Sequence, residues 1–260
     1  MAGMTDMVSA DQPKNDQPKI GDAFGRVIAR CWATGVVPGA SYEIVERSDG
    51  FIAATDAVKY FSERPSWMVE EAWACDAASG RVLDIGCGPG RHALDLQDRG
   101  LDVTGLEPSR GAADVARDRG ITVIDGSLET MSEEDGVFDT LLLLGNNLGL
   151  LGSAERAPMV LDTLAVIAKP GARILATGTD PYSTSSPEHL AYHERNRAEG
   201  RLAGQLVIRV RDREIGTGWF DYLLVSPDEL ADVVAPSPWR LDEVRKGDGA
   251  GYLAVMSLPA

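Results

Sequence analysis

The segment Val82-Leu83-Asp84-Ile85-Gly86-Cys87-Gly88-Pro89-Gly90 constrains this chain more than any other. A short apolar run passes directly into three glycines at alternate positions, and residues 91–99 then read as a helix. Loss of Cβ at alternate positions lets a ligand lie against the backbone, and a strand–loop–helix setting puts that loop at the carboxyl edge of a sheet. Downstream the same alternation repeats. Residues 81–85, 101–106, 121–124, 138–144 and 173–177 read as strands, separated by helices over 91–99, 109–119 and 154–168. Such βα units specify a mostly parallel sheet with helices on both faces, and the right-handed crossover rule leaves little topological freedom. Residues 239–244 and 252–258 close the chain as a hairpin and bring the sheet to seven strands.

What lies outside those units divides into three parts. Residues 1–20 carry Asp6, Asp11, Asp16, Pro13 and Pro18, with no apolar segment of the kind a secretory signal needs, and read as a disordered tail. Residues 21–80 read as a mostly helical N-terminal cap: Phe24, Val27, Ile28, Cys31 and Trp32 share a helical face, residues 42–46 and 51–54 suggest a hairpin around Ser48-Asp49-Gly50, and residues 64–78 read as a second helix. Residues 81–260 form the main domain, with an inserted lid over about 181–225 that holds a helix (183–200) and an antiparallel strand pair (205–210 and 218–225). On that pair Phe220 and Tyr222 share one face and Trp219 the other.

Spacing singles out the residues that face the glycine loop. Glu107 ends the second strand 21 residues after Gly86, where one helix and one strand return the chain beside the loop and an acid can accept from both hydroxyls of a ribose. Asp84 sits at the carboxyl end of the first strand, where it can fix a cationic amino group either directly or by ordering the glycine loop. Gly126-Ser127-Leu128 follows the third strand, in position to read an adenine edge. Together they line the crevice outside the strand ends.

The run 82–94, the segment Val103-Thr104-Gly105-Leu106-Glu107-Pro108-Ser109, residues 126–131, Phe138-Asp139-Thr140 and residues 164–178 with Lys169-Pro170-Gly171 resemble the class I S-adenosylmethionine-dependent methyltransferases over about 100 residues. The resemblance implies a Rossmann-like fold, S-adenosyl-L-methionine as cofactor and methyl transfer as activity. It also implies that Asp84, Gly86, Gly88 and Gly90 cradle the methionine part of the cofactor, that Glu107 with Pro108 holds the ribose, and that Ser127 and Leu128 border the adenine. The family often has an acid where Ser127 stands. Asn146, after the fourth strand, and Tyr60, whose aromatic face suits a sulfonium, complete the expected cofactor set. A sulfonium activates its own methyl group, so a general base is needed only for a hydroxyl or a protonated amine. The candidates for that role are His189 and His193, four apart on the lid helix, and Asp180 and Tyr182 just past the fifth strand; His92, at the start of the first helix after the loop, is a further contact candidate.

Charge and composition limit the acceptor. Lys and Arg number 25 against 40 Asp and Glu, a formal charge of −15 that disfavours nucleic acid and anionic membrane surfaces. The run Gly145-Asn146-Asn147-Leu148 also lacks the Pro-Pro-aromatic signature of enzymes that methylate amino groups of DNA bases, and no Cys stands there beside a Pro as cytosine-C5 enzymes need. The expected acceptor is therefore a small molecule, attacking through O, N or C, with a protein side chain second. Three scattered cysteines fit neither a disulfide framework nor a paired-CxxC zinc site, which suits a reducing cytoplasm; no metal is expected, and a homodimer is compatible with the pattern. Three alternatives stand beside methyl transfer. The same scaffold can cyclise or cleave its sulfonium ligand; a nicotinamide-dependent oxidoreductase uses a related loop, although its GxGxxG spacing differs and Pro89 removes one phosphate-binding amide; and a non-catalytic binding module can keep the fold.

Overall fold

A computed structural model describes residues 17–260. The tail expected over residues 1–20 lies outside the described residues as far as residue 16, but Lys19–Ile20 form a short strand, β1, rather than tail. Helix α1 (Ala23–Ala33) buries Ala23, Val27, Ile28 and Cys31 on one face, as the 3,4 spacing requires, and Asp22 caps it by accepting from the Gly25 amide at 2.9 Å. The hairpin pairs β2 (Tyr42–Arg47) with β3 (Ile52–Asp56). Helix α2 (Val69–Ala77) is shorter than the helix expected over 64–78. Trp67 and Met68 adopt extended backbone, with ψ of 160° and 145°, and the Trp67 indole donates to the Ser62 carbonyl, so the chain turns before the helix starts.

The parallel region follows its expected order. It contains β4 (Arg81–Ile85), α3 (Arg91–Asp98), β5 (Asp102–Glu107), α4 (Arg110–Asp118), β6 (Thr122–Asp125), β7 (Phe138–Leu143), α5 (Ala157–Val166) and β8 (Ala168–Thr179). Beyond it lie α6 (Pro187–Ala198), β9 (Gln205–Asp212), β10 (Ile215–Gly216), β11 (Phe220–Leu223), α7 (Pro227–Val234), β12 (Arg240–Lys246) and β13 (Gly251–Ser257). Seven strands form one sheet in the order β12-β13-β8-β7-β4-β5-β6, with β8 to β6 parallel and the closing hairpin antiparallel. Alternation along the strands sends Leu83, Leu141 and Ile174 to the α5/α7 side, while Val82, Leu142 and Leu175 meet α2 and α3 on the other. Strand order reverses between β4 and β7, which opens a crevice at their carboxyl ends.

The hairpin of the cap and the inserted strands, which pair antiparallel as expected, do not stay within their own segments. Strands β2 and β3 join β9, β10, β11 and β1 in a second, six-stranded sheet. The reason is the unpaired edge that each hairpin would otherwise expose. β2 pairs antiparallel with β9, setting Val45 opposite Val210, while β11 pairs with the same β9, setting Phe220 opposite Ile208 and Tyr222 opposite Leu206. Arg26 and Arg30 of α1 both reach Asp212 of β9, at 3.2 and 2.7 Å, and fasten the two segments together. Among the described residues no helix is long and apolar enough to cross a membrane.

Candidate functional site

Between the two sheets lies a cavity of about 680 Å³. Its floor is the carboxyl edge of β4, β5, β6 and β7, contributing Gly86, Gly88, Glu107, Pro108, Ser127, Leu128 and Asn146 of the expected set, and Tyr60 enters from the cap side. The second sheet forms the other wall. Glu43 and Val45 of β2, Leu206, Ile208 and Val210 of β9, and Phe220 and Tyr222 of β11 all line it, each set two residues apart along its strand.

Left-handed backbone explains the glycines. Gly86 has φ +68° and Gly88 φ +55°, a region that costs any L side chain. A Cβ on Gly86 would stand 2.6 Å from Asn147 Nδ2, which itself donates to the Ile85 and Gly86 carbonyls at 3.0 and 3.2 Å and holds the loop open. At Gly88 the nearest atom to such a Cβ is Phe24 Cζ at 3.9 Å, so this position faces open cavity.

Glu107 joins loop to wall. Its Oε2 accepts from the Gly88 amide at 2.8 Å and its Oε1 from the Ser109 amide at 2.9 Å, yet only 4% of the residue is exposed. Burial outweighs those two bonds and pushes its carboxyl up to about 7. Because this folded value lies above the ordinary carboxylate range, ionising Glu107 costs folding free energy as pH rises from about 4.5 to 7, and the cost is complete above 7. A ligand whose hydroxyls donate to the carboxylate favours the ionised form. Affinity for such a ligand is expected to rise with pH through 6 to 8, by up to about tenfold per unit below 7, when titrated calorimetrically. A flat profile would show that Glu107 does not meet the ligand.

Asp84 and Gly90 are placed differently. Asp84 is buried beneath the loop, not in the cavity, with its Oδ2 unpartnered among the described residues and its carboxyl raised by burial. Gly90 (φ +81°) starts α3, and a Cβ there would come within 2.8 Å of Ile121, a packing constraint. Asn146 has φ +73°; its Oδ1 accepts from Thr179, its amide donates to Thr177, and its carbonyl accepts from the Tyr222 hydroxyl at 2.6 Å.

The four expected acid–base residues are not brought to this cavity. α6 docks at the far end of β2, where His189 Nδ1 stands 3.0 Å from the Arg47 guanidinium and its ring meets Phe51 edge-on. His193 is buried on the same helix, with burial and then Arg197 pushing its imidazole down. Asp180 caps the next turn through the Tyr182 amide, and the Tyr182 hydroxyl donates to Glu229 at 2.6 Å. Both follow β8, where the Asp180 amide donates to the Ala250 carbonyl at 2.9 Å beside the closing hairpin, and neither lines the cavity.

The structure instead supplies groups absent from that set. Glu43, Lys59 and Arg91 line the cavity, as does His92, whose ring packs edge-on against Trp67 at 4.7 Å and lies 3.5 Å from Glu71. The Tyr60 hydroxyl donates to Glu43 Oε2 at 2.6 Å, and burial, then the Glu43 charge, holds that hydroxyl well above its ordinary range. The sequence signal for Glu43 is its place two residues before Val45, which puts both on one face of β2. No group of three or more metal-ligating side chains converges among the described residues.

Residues 82–171 match the family model described as a methyltransferase domain. This segment is a methyltransferase domain. It spans β4 to the start of β8 and therefore carries the glycine loop, Glu107 and Asn146. An uncharacterised methyltransferase of Mycobacterium tuberculosis is 34% identical over 87 residues, covering 32% of this chain and 36% of that protein. The cypemycin N-terminal methyltransferase of a Streptomyces species is 29% identical over 104 residues, 38% of this chain and 42% of its own length. The chain thus spans well under half of the curated relatives it matches. In overall fold it resembles an S-adenosylmethionine-dependent methyltransferase from Bacteroides fragilis solved with S-adenosyl-L-homocysteine, with a TM-score of 0.77, 24% identity, and coverage of 92% of this chain and 95% of that one. That likeness extends beyond the methyltransferase domain to the second sheet.

Proposed function

We propose that the chain uses S-adenosyl-L-methionine to methylate a small-molecule acceptor held between the two sheets. The observation that carries this is Glu107, a buried acid fastened to the Gly88 amide at the carboxyl edge of the parallel sheet and open to the cavity. Its position fits a ribose, and the Gly86–Gly88 backbone fits a ligand that presses against the main chain. In this reading Gly86, Gly88, Asn146 and Tyr60 border the methionine part of the cofactor, Glu107 and Pro108 the ribose, and Ser127 with Leu128 the adenine. When bound, the cofactor supplies an electrophilic methyl group on a positively charged sulfur.

The chain's own work is then alignment and exclusion of water. Residues 21–80 act as a cap and residues 181–225 as a lid, jointly building the second sheet over the cofactor wall. The roof of aliphatic and aromatic side chains from β9 and β11 sheds water and favours a largely apolar acceptor. A chamber closed by a sheet suits a small molecule better than a folded macromolecule. The relative named as an N-terminal methyltransferase makes amino nitrogen a reasonable target.

Titration calorimetry with S-adenosylhomocysteine is the direct test, with micromolar binding expected, on the order of −8 kcal/mol. No binding would overturn the reading. Incubation with S-adenosylmethionine alone separates methyl transfer from cleavage or cyclisation on the same scaffold: methylthioadenosine release without acceptor would favour the latter.

A further inference from the structure

Among the described strands of the second sheet, Glu43 is the charged residue that lines the cavity. Glu43 points from β2 into a wall otherwise made by Val45, Leu206, Ile208 and Phe220, and its side chain is 9% exposed. Oε2 takes both of its donors, the Tyr60 hydroxyl at 2.6 Å and Lys59 Nζ at 3.2 Å. Among the described residues no donor meets Oε1. Lys59 is 44% exposed, so water shares its charge, and the carboxylate is only partly compensated. A buried anion with an open acceptor oxygen in an apolar chamber favours a ligand that brings both an N–H and a positive charge.

We propose that Glu43 recognises the acceptor, and that the acceptor is a basic amine whose apolar body lies against the β9–β11 face. This rests on the methyl-transfer reading, and it names the acceptor class for the same site. An alcohol would offer Oε1 a hydrogen bond but leave the charge unanswered, whereas an ammonium group satisfies both. The cofactor's hydroxyls have Glu107 on the other sheet. Tyr60 acts as a positioning residue: its bond to Oε2 fixes the carboxylate, while no donor among the described residues takes Oε1. A protonated amine has no lone pair to share. Transfer of one N–H proton to Glu43 leaves a neutral amine and a neutral carboxyl, and Glu43 can therefore serve as both anchor and base.

The test uses the full chain saturated with S-adenosylhomocysteine and two matched probes, 4-phenylbutylamine and 4-phenylbutan-1-ol, titrated calorimetrically. The amine is expected to bind at least about tenfold tighter than the alcohol. In Glu43→Gln that preference should fall below about threefold, while affinity for S-adenosylhomocysteine stays within about twofold. Tyr60→Phe, which keeps the carboxylate, should retain a preference for the amine. Equal binding of the two probes, no binding of the amine, or an undiminished preference in Glu43→Gln overturns the proposal. So does a large loss of S-adenosylhomocysteine affinity in Glu43→Gln, which would assign the residue to the cofactor. If the wild-type chain does not bind S-adenosylhomocysteine, the methyl-transfer reading fails, and the two probes on the unliganded chain still report whether Glu43 selects an amine. The wild-type comparison stands alone should Glu43→Gln not fold.

Discussion

Glu107→Ala is expected to weaken S-adenosylhomocysteine binding by about 1–3 kcal/mol, roughly five- to 150-fold, the range for losing hydrogen bonds to a charged group. Two losses contribute. The carboxylate acceptors for a ribose disappear, and the amides of Gly88 and Ser109, which both bond to that carboxylate, lose their common anchor. Glu107→Gln separates them, since it keeps an acceptor oxygen and the side-chain volume while removing the titration. Its cofactor affinity should lie between wild type and Glu107→Ala, and the rise in affinity between pH 6 and 8 should vanish. Because burial raises the Glu107 carboxyl to about 7, neutralising it should also leave folding stability at pH 8 equal to or above wild type. Calorimetry and urea denaturation of the same three proteins check all of this. Unchanged affinity in Glu107→Ala would remove the residue from the site.

The part of the site that the sequence makes legible is the part built by short-range geometry. One helix and one strand separate Gly86 from Glu107, so parallel pairing of β4 with β5 necessarily returns the acid to the loop; the two strands run in register from Arg81 opposite Asp102 to Ile85 opposite Leu106. The methyltransferase domain is legible for the same reason. Its strands are buried on both faces, read as near-continuous apolar runs, and are joined by crossovers of one handedness.

The opposite wall is illegible because it is assembled from segments far apart in the chain. β2 and β9 are separated by more than half its length, and nothing in the alternation of Tyr42-Glu43-Ile44-Val45 states which strand will take its free edge. Without that pairing Glu43 reads as a solvated charge. The same gap explains His189 and His193. Their i,i+4 spacing correctly gives one helical face, but that face turns toward Arg47, Phe51 and the end of the second sheet, a partner that exists only once the sheet has formed. Tyr222 is the intermediate case: alternation put it with Phe220 on one face of its strand, and tertiary structure decided that this face is the cavity side.

The cap is held to the methyltransferase domain at a point where two glycines meet, and that point carries the largest expected loss of stability. α1 crosses the start of α4 so closely that a Cβ on Gly111 would stand 2.8 Å from the backbone Cα, C and O of Gly25. Backbone cannot swing aside as a side chain can. Gly111→Val is therefore expected to destabilise the chain by about 3 kcal/mol, against the gain that removing a glycine from a helix ordinarily brings, because α1 must lift from α4. Lifting α1 also breaks a second fastening, since Asp22 accepts from the Ser109 hydroxyl at 2.7 Å and the Gly111 amide at 2.9 Å. Asp22 and Phe24 both line the cavity, and Ser109 adjoins the Pro108 edge of the ribose wall, so affinity for S-adenosylhomocysteine should fall together with stability. Gly218→Val is the control: its backbone is not left-handed, a Cβ there meets nothing within 4 Å, and it should unfold within about 0.5 kcal/mol of wild type. Urea midpoints decide the matter. A Gly111→Val protein as stable as the control would mean that α1 does not seat on α4 and that the cap closes the cavity by some other contact.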